Sequence, residues 1–210
     1  MTISGIGTVK PGPPAHVLPQ ARHVLAVIAH PGEESVILGG VLSAFRVNGA
    51  RISVLSLTRG EATPCDGLER AGVVRPFELQ MAAFTLAMTH VTIADFPDGM
   101  LSDLPIRRIT QLIARQARQI GADLLLTVDQ GADPADGGVT EEASRIACRT
   151  LGVKALTWTA AGPYDLDVVV SRDVQRCAMR AHRSQGRRVQ AHLDRLAAQG
   201  DRERLRWLHR

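Results

Sequence analysis

Apolar positions along this chain alternate between two rhythms. HVLAVIAH (23–30) is an unbroken aliphatic run of strand length, and EESVILGGVLSAFRVNG (33–49) follows with helical spacing and a glycine stop. The alternation continues through a strand at 50–58, a helix at 75–88, a strand at 90–96 and a helix at 105–121. A strand at 122–128, a loop at 129–138, a helix at 139–152 and two strands at 154–160 and 165–171 complete it. Short aliphatic strands alternating with helices predict an α/β fold, a three-layer α/β/α sandwich with a Rossmann-like, mostly parallel sheet. Domain organisation follows: an N-terminal arm at 1–20, an α/β domain at 21–186 and a basic helical C-terminal extension at 187–210.

Composition sharpens this picture in a few places. Only seven residues are Phe, Trp or Tyr, so the core must be built from Val, Leu, Ile and Ala, as buried strands of parallel sheets usually are. No apolar stretch reaches the roughly 20 residues of a membrane span, and the N-terminal segment has no signal-peptide core. Cys65, Cys148 and Cys177 are odd in number and far apart, which argues against a disulfide framework or a thiolate zinc site. A cytoplasmic location is the expectation. Net charge is +4, concentrated in the arginines after position 182. That stripe suggests a module for anions or nucleic acid. Interleaved Asp194, Asp201 and Glu203, with no aromatic ladder, favour a solvated helix face instead.

In open parallel sheets, ligands sit beyond the carboxyl ends of the strands. His30, Glu33 and Glu34 follow the first strand, Arg59–Glu61 the second, Asp98 the third, and the stretch from Asp129 to Thr140 the fourth. His30 and Glu33 have donor types that suit zinc, which takes three protein ligands and an open position in catalytic sites. The same two glutamates also suit an ordinary first helical turn, where the dipole favours carboxylates.

The motifs go further. A-H-P-G-E-E (29–34), the glycine pair Gly39–Gly40 and T-x-G-E (Thr58, Gly60, Glu61) come first in order. R-x-x-E-L (Arg75, Glu78, Leu79), F-P-D-G (96–99) and A-H-R-S-Q (181–185) follow. This series resembles the LmbE-like (PIG-L) family of zinc-dependent N-deacetylases, over about residues 23–186. The resemblance implies the LmbE-like fold, a zinc cofactor and hydrolysis of the acetamide of N-acetylglucosamine-type glycosides. It implies metal ligands at His30, at Glu33 (where the family has aspartate) and at a histidine of a later H-x-x-H.

At two decisive places the chain departs from that pattern. Gly32 occupies the position of the family's general base, leaving Glu34 as the nearest substitute. Aligning the H-x-x-H segment by the helix that follows puts Gly137 and Thr140 where the histidines belong, and no histidine occurs between His90 and His182. Glu141, Glu142, Asp133 and Asp136 are the carboxylates within reach of the vacant third position. Arg75, Asp98 and His182 fall on the family's substrate side, each with an ordinary structural alternative: an ion pair for Arg75, a turn bond for Asp98 and a simple hydrogen bond for His182. The expectation is a family member with impaired or lost zinc hydrolysis, retained to bind an amino-sugar glycoside or a protein partner. The alternative is an active deacetylase with a His/Glu/carboxylate metal site, and the third reading is an anion-binding module on the C-terminal arginines.

Overall fold

The computed structural model describes residues 15–62, 70–129 and 135–209. Five strands form the parallel part of one sheet: β1 (His23–Ile28), β2 (Arg51–Thr58), β3 (His90–Phe96), β4 (Leu124–Val128) and β5 (Lys154–Trp158). With β6 (Leu166–Val169) and β7 (Arg202–Trp207), the sheet order is β3-β2-β1-β4-β5-β7-β6. The sense of winding reverses between β1 and β4, and that reversal opens a crevice beyond their carboxyl ends. Strand β1 has no exposed residue because it is covered on both faces.

Its alternate side chains feed two separate cores. Val24, Ala26 and Ile28 join a cluster with α2 (Gly39–Val47), Leu79 of α3 (Ala71–Thr85), Met179 of α6 (Asp173–Met179) and Leu196 of α7 (Gly186–Gln199). Leu25 and Val27 face α4 (Ile106–Ile120) and α5 (Asp136–Leu151) on the other side. This is the three-layer sandwich that the rhythm of the sequence predicts.

Two departures from the predicted elements have local causes. The helix expected over 33–49 is broken into α1 (Glu33–Val36) and α2. The Gln175 side-chain amide donates to the carbonyls of Ser35 and Val36, which a continuous helix would have used for itself. The glycine pair makes room for this intrusion. A Cβ at Gly39 would stand 2.8 Å from Cγ of Gln175, and one at Gly40 would stand 2.7 Å from a Val170 methyl.

The second departure is the C-terminus, which is not a helical extension throughout. After α7 the chain returns as β7, antiparallel to both β5 and β6, and fills the gap between them. Glu203 and Leu205 point inward while Arg202 and Arg204 stay exposed, the period-two pattern of a strand. Buried Glu203 accepts hydrogen bonds from Arg172 and from the Trp158 indole. The basic stripe is thereby broken up. Arg202 pairs with Asp167 at 2.9 Å, Arg206 with Glu141 at 2.6 Å, and Arg204 lies over the Tyr164 ring. Among the described residues, no helix is long and apolar enough to cross a membrane.

Candidate metal centre

Strand β1 ends two residues before His30, and Gly32 turns the chain into α1 with a φ of +112°, a left-handed value that strains any residue with a Cβ. The turn brings Glu33 back onto its own strand end. One Glu33 oxygen accepts the Ala29 amide at 3.0 Å and the other meets His30 Nδ1 at 3.1 Å. The imidazole is thereby fixed in orientation, and its Nε2 points away from Glu33.

Two aspartates meet that nitrogen. Asp98, two residues beyond β3, brings Oδ1 to 2.7 Å, and Asp136, the first residue of α5, brings Oδ2 to 3.2 Å. Both carboxylates are held by backbone amides. Ala62 donates to the far oxygen of Asp98 at 2.7 Å, while Gly99 and Leu101 donate to the two oxygens of Asp136 at 2.7 and 2.9 Å. All four side chains are buried. Burial alone would push the His30 imidazole down. Hydrogen bonds to Asp98 and Glu33 and their negative charge outweigh it and raise the pKa to about 10. For Asp98, burial acts upward. The contact with His30 and the bond from the Ala62 amide more than cancel it, so the carboxyl lies below the usual aspartate range.

The other residues singled out in the sequence form a layer behind this group. Glu34 is fully buried and its carboxylate is saturated. It accepts from the Gly32 amide at 2.7 Å, the Ser35 hydroxyl at 2.6 Å and His182 Nε2 at 2.7 Å. Its partner His182 lies at the entry to the short 3-10 turn Arg183–Gln185. Burial opposes the charged form of both groups, and their mutual attraction wins, lowering the pKa of Glu34 and raising that of His182. Arg75 is buried and donates to the Gly60 carbonyl at 2.7 Å, and Glu78 receives both the amide and the hydroxyl of Ser184.

Gln185 closes the remaining space at the corner. Its amide donates to the Pro31 carbonyl at 3.1 Å, and a Cβ at Gly32 would meet that amide nitrogen at 2.9 Å.

The helix-based alignment puts Thr140 at the third position, but the residue that stands beside His30 is Asp136. Thr140 sits one turn further along α5 and gives its hydroxyl to the Asp136 carbonyl at 2.7 Å. Glu141 and Glu142 are engaged by Arg206 and Arg145. Asp133 lies outside the described residues. Among the described carboxylates of this segment, Asp136 is the one that reaches His30, and the spacing Asp133-x-x-Asp136 is that of H-x-x-H with aspartates in place of histidines. That spacing was the available signal. Asp98, expected on the substrate side or in a turn bond, instead faces the same imidazole nitrogen as Asp136.

One ligand atom from each of His30, Asp98 and Asp136 lies within 4.8 Å of the others. One imidazole nitrogen and two carboxylate oxygens, with a carboxylate behind the imidazole to orient it, are a donor set that fits a divalent cation. At 2.7 Å, His30 Nε2 and the Asp98 oxygen are closer than two ligands of one metal usually stand, so binding requires them to part slightly.

The sequence pattern of GlcNAc-PI de-N-acetylase (PIG-L) matches residues 25–148, more than half of the chain. The chain belongs to the PIG-L family. Its fold is that of several solved structures, all at low identity. A conserved protein of Thermus thermophilus superposes with a TM-score of 0.71 at 21% identity, covering 88% of this chain and 93% of its own. N,N'-diacetylchitobiose deacetylase of Pyrococcus horikoshii gives 0.70 at 17% identity, covering 89% and 84%. The 4-carboxy-2-hydroxymuconate hydratase of Pseudomonas putida gives 0.69 at 16%, covering 90% and 97%. No curated protein sequence matches the chain. The PIG-L fold thus carries deacetylation and hydration alike, and the chemistry of each protein depends on its own site residues.

Proposed function

We propose that this PIG-L protein holds a divalent metal ion, zinc by family, on His30, Asp98 and Asp136, and that its hydrolysis of N-acetylglucosamine-type acetamides is impaired. The observation that carries this reading is Gly32. The family's general base belongs at that position. Here it has no side chain, its φ is +112°, and Gln185 fills the space where one would begin. Glu34 offers no replacement, because its carboxylate is turned to His182 and accepts three hydrogen bonds.

A metal held at this centre supplies a more acidic bound water and a polarised amide carbonyl. The chain's own residues hold and orient. Glu33 fixes the imidazole through Nδ1, and the amides of Ala62, Gly99 and Leu101 fix the two aspartates. Among the described residues, position 32 offers no group to take the proton, a loss worth roughly 10²–10⁴ in rate. The retained role is binding of an amino-sugar glycoside or a protein partner at the old site.

Asp136 favours one competing reading, an active deacetylase with a His/Asp/Asp centre, because it supplies the ligand that the missing histidine would have given. The two readings separate in one experiment. Purified, tag-free protein is loaded with zinc, dialysed, and measured for metal content and for acetate release from N-acetylglucosaminyl glycosides. One metal per chain with acetate release at background supports the proposal. Metal-dependent release that disappears in His30→Ala sinks it in favour of the active enzyme.

A further inference from the structure

Helix α3 buries two charged residues alongside Leu79, Ala82 and Ala83, and exposes large apolar side chains. Its charged residues Arg75 and Glu78 are buried toward the candidate centre, whereas its outward face carries Val73, Phe77, Gln80, Met81, Phe84 and Thr85. Val73 is 67% exposed, Phe77 63%, Met81 50% and Phe84 85%. An ordinary surface helix shows the opposite arrangement, with charge outward and apolar groups on the core. Scattered exposed apolar residues need no explanation, but a continuous stripe does. These four side chains together expose on the order of 500 Å² on one line.

We infer that this face of α3 is the contact surface of a homodimer, with two α3 helices packed antiparallel across a two-fold axis. Residues 73, 77, 81 and 84 lie on one face, and the stripe runs for about 16 Å at the rise of an α-helix. An axis passing near Glu78 and Leu79 sets Phe77 of one copy against Met81 of the other, a favourable sulfur–aromatic pairing, and sets Val73 against Phe84. The same patch on both subunits satisfies the requirement of an isologous interface.

Charge selects a second copy over other occupants. Each copy carries +4 overall, and the outward face of α3 carries no charge within the helix, so two copies meet there without like-charge repulsion. Arg70, exposed at the N-terminal end of α3, would come to the C-terminal carbonyls of the partner's α3, an end that has no basic residue of its own. A helix that docks on an anionic membrane needs Lys or Arg flanking its apolar face along its length, and the one cation within α3 is buried Arg75. The stripe supplies more than half of the roughly 800 Å² per partner of a standard interface. The polar rim of Arg70, Gln80 and Thr85 extends it.

The test is sedimentation velocity of the full chain from about 1 to 100 µM, a range that covers the micromolar end expected of an interface smaller than standard. The expected result is a dimer for the wild type. Phe77→Glu/Phe84→Glu is expected to weaken it on the order of 100-fold, with the circular dichroism spectrum of the folded chain unchanged. Met81→Lys provides an independent break of the same face, and Val169→Lys, at an exposed apolar residue off this helix, leaves the dimer intact. A wild type that stays monomeric at the highest concentration overturns the inference. So does a dimer that survives both α3 variants, and so does a monomer that co-sediments with vesicles of about 70% phosphatidylcholine and about 30% phosphatidylglycerol, the anionic surface an amphipathic helix would seek.

Discussion

Both ring nitrogens of His30 face carboxylates, Glu33 on one side and Asp98 with Asp136 on the other. Without metal the imidazolium is the cation at the centre of this cluster, and Arg75 adds its charge on the side of Asp98. Its folded pKa, about 10, lies above the unfolded value of 6.5. The stability it contributes is therefore complete below about pH 6.5 and is lost as pH rises through 10. Thermal melts of metal-stripped protein should fall across that window, and His30→Ala should flatten the slope. An equal slope in the variant would place the titrating group elsewhere. For metal, Asp98→Ala and Asp136→Ala should each reduce the zinc retained after dialysis from one per chain to a small fraction, read by elemental analysis, while Glu141→Ala should leave it unchanged. The pair Glu34–His182 is a single carboxylate facing a single imidazole at 2.7 Å, both side chains wholly buried. His182→Ala leaves the carboxylate without its counter-charge and should cost about 3–5 kcal/mol, measured by urea denaturation.

Packing at the element scale turns on small residues and one late strand. Gly40→Ala would place its Cβ 2.7 Å from a Val170 methyl and 2.9 Å from Arg172 Nη1. Overpacking of this type costs about 1–3 kcal/mol, and calorimetry should show the loss. Strand β7 is placed between β5 and β6, so it is an integral part of the sheet. Truncation before residue 200 exposes Trp158 and leaves β6 with only the isolated bridge from Leu166 to Ala15. The truncated chain should therefore lose cooperative unfolding rather than behave as a trimmed domain, a difference visible in a melting curve. Were it to melt as sharply as the full chain, residues 200–209 would be an appendage after all.

Across the whole molecule, the switch in sheet order between β1 and β4 gathers the site. Residues 30, 98 and 136 are separated by tens of positions in the chain, yet they all fall at the carboxyl ends of parallel strands or just beyond them. The same sheet sends α2, α3, α6 and α7 to one face and α4 and α5 to the other. On the first face, α3 turns its charged side chains toward the chain that carries Gly60 and Ser184, so its exposed face is uncharged and mostly apolar. The supporting layer of the site and the proposed dimer face thus come from one helix.

By itself the sequence determined the order of strands and helices as far as β6, apart from the break between α1 and α2, together with the H-P-G-E-E corner and the loss of a side chain at position 32. These are local properties. A period of two or 3.6, a glycine at a turn and a motif within one segment are all encoded by neighbours along the chain. The place of His30 as the centre of the candidate site was legible for the same reason. Only the tertiary structure decided which carboxylates meet it. Asp136 lies 106 positions away, and the length of the intervening loop decides whether position 136 or 140 arrives. Asp98 looked like a turn residue because its partner belongs to another strand end. Strand β7 was hidden because Arg202, Arg204 and Arg206 surround its inward Glu203 and Leu205, and a buried glutamate reads as polar until Arg172 is seen beside it. The outward face of α3 was invisible because Arg75 and Glu78 give the helix ordinary polarity in one dimension. The direction in which a charge points is set by the partner that satisfies it, and partners distant in sequence are brought together only by the fold.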